Sequence, residues 1–287
     1  MSDVTIRTVS ELVDVLKKFQ FQFGRQPSFE DFIFRGTKNE KYHLLPKVFR
    51  SLDYSGYELE MLSRFSKNAH AFLPSGFHEA DFSLLQYAQH YGVPTRLLDF
   101  TTNPLIALYF CCEDISKTDG ALWIVNVVPF RFWAVGEINE QNLIDDPFLY
   151  WTTEEFIDNV MKEITNPSDA DENYPKLRRP VFSVPPYIDQ RMSAQSSCFM
   201  LWGRRHEPLE DMATSSNYMK LHHAGARLRI EDDKRFLAKI IIPNEVKRDI
   251  VNELDLLDIN EKSLFPGLDG IGHYIEKHYR NDSNSES

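Results

Sequence analysis

Apolar and polar positions follow two periods along this chain, and the changes of period mark its elements. Leu12, Val15, Leu16 and Phe19 recur at helical spacing behind Ser10, a hydroxyl placed to cap, which predicts a helix over 11–20 that ends by Gly24 and Pro27. Phe32-Ile33-Phe34 is a short β-type run followed at once by Arg35 and Gly36. An arginine where a strand ends is expected to aim into a cleft. Helical spacing returns at Leu59, Leu62, Phe65, Ala69 and Phe72, and again over Phe82–Tyr91, which Gly92 and Pro94 stop.

Between Pro94 and Pro104 lies the densest polar cluster in an apolar setting: Thr95, Arg96, Asp99, Thr101, Thr102 and Asn103. Leu105–Cys112 continues as a buried helix, with Pro104 in its first turn and Thr102 or Asn103 as its cap. Ala121–Val128 is apolar on both faces apart from Asn126, the pattern of a central strand. Val181–Val184, Ser197–Trp202 and Phe236–Ile242 predict three more strands. Glu245–Leu257 predicts a helix, Leu264–Gly270 a turn and Ile271–Tyr279 a last short helix before the polar tail 281–287.

These elements interleave irregularly, without strict βαβ alternation and without a glycine-rich phosphate loop. The expected fold class is α+β: a mixed, largely antiparallel central sheet surrounded by helices. One domain over 1–287 is expected, with its core at about 25–275, because no linker divides the chain and no repeat recurs. The interval 137–174 reads as an acidic insertion in which Trp151, Phe156, Val160 and Ile164 give at least one amphipathic helix.

Composition sharpens this picture at three points. An apolar share of 42% is ample for a core at this length, and 21 Phe and 12 Tyr mean that rings build core contacts or ligand-facing walls. The three cysteines, Cys111, Cys112 and Cys198, can form neither a disulfide framework nor a zinc site, which points to a reducing compartment. Neither Met1–Arg7 nor the longest apolar run, Leu105–Cys112, suits a membrane helix of roughly 20 residues, so a cytoplasmic location without membrane partners is expected.

A net charge of −11 argues against a protein that grips nucleic acid with its whole surface. The charge is uneven, however. From Glu137 to Tyr174 eleven acidic residues face one Lys, whereas Lys176, Arg178, Arg179, Arg191, Arg204 and Arg205 face only Asp189 over 176–206. Either the acidic stretch screens a basic region that takes a phosphate or polyanion, or the two are ordinary solvated stretches.

Several residue types carry candidate chemistry. The planar fork of Arg35 stays charged and can hold phosphate oxygens in pairs; the alternative is a structural ion pair with Asp99. His90, with His43 and Asp99, could perform acid/base work, since histidine titrates near neutrality and a carboxylate orients it; the alternative is a structural histidine beside Tyr91. Arg96 is expected to pair with Asp99 across a turn, because an unpaired buried charge is costly. His222-His223 has no acidic or thiol companion at ligand spacing, and no metal is assigned.

Taken together, Phe34-Arg35-Gly36, Leu45-Pro46 with Arg50 beyond it, the block Gln89-His90-Tyr91-Gly92-Val93-Pro94-Thr95-Arg96-Leu97-Leu98-Asp99, and Leu264-Phe265-Pro266-Gly267-Leu268-Asp269-Gly270 resemble the FRG family over roughly residues 25–275. The eleven-residue block is the most specific of these. The likeness fixes a domain rather than a reaction.

A more distant likeness is to ADP-ribosyltransferases, in which an arginine on an early strand, a Ser/Thr-rich strand leading into a helix, and an acidic residue opening a later strand follow one another. Arg35, Asp99-Phe100-Thr101-Thr102 leading into Pro104, and Gln195 before Ser197–Trp202 keep that order, with an amide in place of the acid. This likeness implies a split sheet and NAD as substrate. It would put Arg35, Gly36, Thr101, Thr102 and Arg191 around the dinucleotide, with Gln195 at the ribose, in a bacterial toxin or phage-defence setting.

Three functions are therefore expected to compete. The first is an NAD-using, ADP-ribosyltransferase-like domain. The second is a non-catalytic module that senses a nucleotide or nucleic acid, or meets a protein acceptor, through the basic region 176–206. The third is a hydrolase or nuclease built on His90 and Asp99.

Overall fold

A computed structural model describes residues 4–21, 32–73, 82–134, 179–215 and 236–283, apart from 52–53, 55, 115–116, 128–129, 131–132, 185 and 204. The acidic stretch 137–174, the basic residues Lys176, Arg178 and Arg204, and His222-His223 lie outside the described residues.

Seven strands form one sheet: β1 (Val4–Thr5), β2 (Phe32–Thr37), β3 (Leu97–Thr101), β4 (Gly120–Asn126), β5 (Val181–Ser183), β6 (Ser197–Leu201) and β7 (Leu237–Ile242). Their order is β1-β7-β4-β2-β3-β6-β5, with every neighbouring pair antiparallel except β1 and β7. The fold is thus a mixed α/β one around a largely antiparallel sheet, as the irregular interleaving predicts. All seven residues of β4 are buried between β7 and β2, which accounts for its two apolar faces.

Alternation along the strands sends their side chains into separate cores. Ile33, Leu98, Phe100, Trp123 and Met200 pack on one face with Phe130, Trp133, Trp202 and Phe236. On the other face Phe32, Phe34, Leu122, Ile124 and Ile240 meet the helix Pro104–Cys112, together with the helices Val9–Phe21 and Lys247–Leu256. A third cluster joins Leu97, Phe199 and Leu201 to the helix Phe82–His90. Lys247, fully buried, donates from Nζ to the Lys38 carbonyl at 2.8 Å.

Several boundaries differ from the sequence expectation. β2 does not stop at Phe34 but runs through Arg35 and Gly36 to Thr37, because β4 pairs with it residue by residue over that length. The polar cluster after Pro94 contains a strand, β3, whose Leu98 and Phe100 point into the core while Asp99 remains exposed. The expected turn at Leu264–Gly270 is shorter, since a one-turn helix Glu261–Leu264 precedes it and the last helix already begins at Leu268 and runs to Ser283. Asn103 caps the Pro104 helix, its side chain accepting from the Leu105 amide at 2.9 Å. Among the described residues, no helix is long and apolar enough to cross a membrane.

Candidate functional site

The sheet is weakest at one seam. β2 and β3 share a single registered pair, Phe34 opposite Thr101, whereas β2 pairs with β4 along its whole length and β3 with β6 likewise. Beyond Phe34 the ladder stops, so the stretch Arg35–Thr37 faces Leu98–Phe100 without strand hydrogen bonds between them. Unpaired strand carbonyls need other donors, and Arg35 supplies one: its Nη1 donates to the Asp99 carbonyl oxygen.

A cleft of about 370 Å³ opens over this seam. That is near the lower end of the roughly 300–1,000 Å³ typical of small-molecule sites. Gly36 sets its floor. A Cβ there would lie 1.9 Å from the Ala107 carbonyl oxygen and 2.9 Å from the Cys111 nitrogen, so only glycine lets the Pro104–Cys112 helix pack directly on β2. Phe110 and Glu113, from the end of that helix, then reach the cleft wall.

Arg35 is an incompletely paired cation of the cleft. Its side chain is 19% exposed, Nη1 lies 3.9 Å from Asp99 Oδ2, and its Nε is buried without a hydrogen-bond partner. Burial pulls the guanidinium down to about 10; Asp99 raises it, and nearby Arg50 lowers it further. It remains a cation at neutral pH. Asp99 is not its dedicated counter-ion, because Gln89 Nε2 donates to Asp99 Oδ1 at 2.6 Å, while Gln89 Oε1 accepts from Thr95 Oγ1 at 2.5 Å.

On the opposite wall stands a short helix, Gln190–Ala194, capped by Asp189, whose Oδ1 accepts from the Met192 amide at 2.8 Å. Its end carries Gln195 into the cleft. Thr101 Oγ1 donates to the Gln195 carbonyl at 2.7 Å, and Gln195 Nε2 donates to the Leu264 carbonyl at 3.1 Å, which leaves the amide oxygen of its side chain as an acceptor. Arg191 lies over the Phe265 ring at 4.7 Å, and Phe265 meets Phe110 edge-on at 6.3 Å. The late Leu264-Phe265 segment therefore buttresses the wall that bears Gln195.

The structure thus brings Arg35, Gly36, His90, Asp99, Thr101, Arg191 and Gln195 to one cleft. Thr102 is not on its wall; the Thr102 amide donates to the Ser196 carbonyl at 3.1 Å. The acid/base grouping of His90, His43 and Asp99 is re-paired. His90 Nδ1 lies 3.1 Å from Asp189 Oδ2, and His43 Nδ1 lies 2.8 Å from Glu210 Oε1. Each histidine takes the carboxylate its own helix-end neighbourhood offers.

Arg96 is likewise not the partner of Asp99: strand alternation turns it inward, where it meets the buried Glu58 carboxylate at 2.6 and 3.0 Å. In the basic stretch, Arg179 Nη1 donates to the Trp133 carbonyl, with its guanidinium over that indole at 4.9 Å, and Arg205 lies 3.7 Å from Glu207. All three cysteines are buried, and burial pushes each thiol up, that of Cys112 to about 12, which makes them poor nucleophiles. Among the described residues, no three His, Cys, Asp or Glu side chains gather as a metal-ligand group.

Among the cleft residues to which the sequence alone gives no role are Arg50, Gln89 and Glu113. Arg50 and Gln89 lay within the quoted motifs, and that was their signal. Glu113 had none, because its approach to the cleft depends on how closely Gly36 lets its helix sit.

No curated protein and no solved structure matches the chain. Residues 30–120 match the family described as the FRG domain, a stretch holding β2, the Gln89–Asp99 block, β3 and the helix packed on Gly36, which together form one side of the cleft. The chain carries an FRG domain over those residues.

Proposed function

We propose that this chain is an ADP-ribosyltransferase-like domain that takes NAD into the cleft above the β2–β3 seam. One observation carries the reading. Arg35, Thr101 and Gln195 come from β2, from β3 and from the residues just before β6, three consecutive strands of the sheet, and all three open on the same cleft.

Each then has a task that its chemistry suits. Arg35, charged, desolvated and with a donor to spare, holds the dinucleotide's phosphates. Thr101 ties the Gln195 backbone to the end of β3, so the strand fixes where the amide stands. The Gln195 side-chain oxygen accepts from a ribose hydroxyl. The bond from ribose C1′ to the nicotinamide nitrogen breaks with its electron pair going to the ring. An acceptor nucleophile then bonds to C1′ and releases its proton.

Gln195 also favours a second reading. An amide carries no net charge, so it cannot give the cationic sugar the electrostatic stabilisation that a carboxylate supplies. A cleft that binds the nucleotide and reports it without turnover fits the same geometry.

Incubation of the purified protein with NAD, with Arg35→Ala in parallel, separates these readings. Nicotinamide release that vanishes in the variant, with a mass gain of one ADP-ribose on added protein, RNA or DNA, is the expected result. Release without any mass gain makes water the acceptor. Binding of NAD without release sinks the transferase reading and leaves the sensor.

A further inference from the structure

The function proposed above uses one arginine of the cleft, Arg35, yet Arg50 lines it as well. Arg50 follows the short 3-10 turn Lys47–Phe49, and its Nε donates to the Leu45 carbonyl at 2.9 Å. That bond pins the base of the guanidinium. Its two terminal nitrogens have no hydrogen-bond partner among the described residues. On Arg35, similarly, one nitrogen is committed to the Asp99 carbonyl while the buried Nε has nothing.

The two cations share one carboxylate. Burial lowers the pKa of both Arg35 and Arg50, Asp99 pulls both back up, and the Arg50 charge lowers that of Arg35 further. Asp99 is 60% exposed in its side chain, lies 3.9 Å from the nearest Arg35 nitrogen, and has its other oxygen engaged by Gln89. A partly desolvated Arg35 and an exposed Arg50 against one loosely held acid leave positive charge at the cleft that an anionic ligand can meet.

We propose that Arg35 and Arg50 form a diphosphate subsite in which the Asp99 carboxylate is the internal counter-ion that the ligand displaces. The two forks come from separate elements, β2 and the turn after Phe49, and each can bind two oxygens side by side. Two linked tetrahedral phosphates satisfy both; a lone phosphate satisfies one. That the diphosphate belongs to NAD rests on the function proposed above, whereas the subsite itself would accept any nucleoside diphosphate.

Calorimetry of the full chain with inorganic pyrophosphate, at fixed ionic strength, tests the subsite without reference to turnover. Arg50→Ala is expected to weaken binding about tenfold or more, since a charge-assisted pair is lost. Asp99→Asn is expected to tighten it several-fold, because the amide keeps the acceptor for Gln89 and removes the competing charge. Orthophosphate should bind more weakly than pyrophosphate to the parent and equally to Arg50→Ala. Thermal melting of each variant accompanies the titrations, and Arg50→Gln replaces Arg50→Ala if the latter does not fold.

Unchanged pyrophosphate affinity in a folded Arg50 variant, or weaker binding in Asp99→Asn, overturns the proposal. Nicotinamide release by a protein that ignores pyrophosphate would sink the subsite alone. Pyrophosphate binding without release would sink only the transferase reading.

Discussion

Two arginines approach the same strand, β3, and could hardly be treated more differently. Arg96, just before it, is 8% exposed in its side chain and meets the Glu58 carboxylate through both Nε and Nη2, while Nη1 reaches the Trp202 carbonyl at 3.4 Å. Every nitrogen has a partner. Arg35, across the seam from β3, is 19% exposed and has a backbone carbonyl, a carboxylate 3.9 Å away and a buried nitrogen with none. A buried guanidinium that is fully paired belongs to the scaffold. One left short of partners is poised for a ligand, because the fold has spent desolvation there without recovering it.

The sharpest way to break this comparison is to remove each cation. Arg96→Ala strands Glu58 as a buried charge, and the expected loss is about 3–5 kcal/mol, the range for breaking a buried pair from one side. Arg35→Met should change stability by less than about 1 kcal/mol, since removing an incompletely paired charge relieves desolvation while the exposed Asp99 can turn to water. Chemical denaturation of both variants reads the difference. Equal losses would make Arg35 a structural residue and remove the argument for the cleft.

Next in size is the contact that holds the seam in place. Gly36→Ala pushes a methyl group against the Ala107 carbonyl and the Cys111 nitrogen, both backbone, so no side chain can swing aside. Overpacking of this kind costs about 1–3 kcal/mol. The Pro104–Cys112 helix must lift, and the melting midpoint should fall together with ligand affinity. A stable Gly36→Ala protein with intact binding would mean that the helix can retreat without disturbing Arg35, and that Gly36 is not the floor of the site.

How much of this was legible in the sequence follows from the range of each interaction. The Gln89–Asp99 block announced itself as one dense unit, and the structure divides it. Thr95 and Arg96 are buried, whereas Asp99 is exposed on the cleft and Gln89 joins it there. Strand alternation makes that division, yet β3 was hidden, because a five-residue strand interrupted by Asp99 inside a polar cluster gives too few alternations to read.

Partners at long range were not legible at all. Glu58 lies 38 positions before Arg96, and Leu264 lies 69 after Gln195. Local periodicity carries no information about such distances, so the sequence offers Arg96 its nearest acid, Asp99, and offers His90 Asp99 rather than Asp189. By contrast, β4, β6, β7 and the Pro104 helix were visible, since each is an apolar run whose neighbours need not be known. Arg35 is visible for a related reason: a cation placed directly after an apolar run needs an explanation wherever the run folds.

The smallest effect concerns a further ionisable group on the cleft wall, Glu113. Burial raises the Glu113 carboxyl above its ordinary 4.5, with Lys38 and Lys277 pulling the other way and Glu261 and Asp114 adding to the rise. A carboxyl whose folded pKa exceeds its unfolded one favours folding fully below the unfolded value and loses that contribution as pH rises through the folded value. Once ionised, then, Glu113 is a cost to folding. Glu113→Gln should be more stable than the parent at pH 7, by less than about 1 kcal/mol because the site is partly solvated. The advantage should shrink as pH falls toward 4.5 and vanish below it. Denaturant midpoints for both proteins between pH 3.5 and 8 measure this directly. If Glu113→Gln is instead the weaker protein at pH 7, attraction to Lys38 and Lys277 outweighs burial, and Glu113 belongs with Glu58 among the paired groups of the scaffold rather than with Arg35 among the unpaired groups of the cleft.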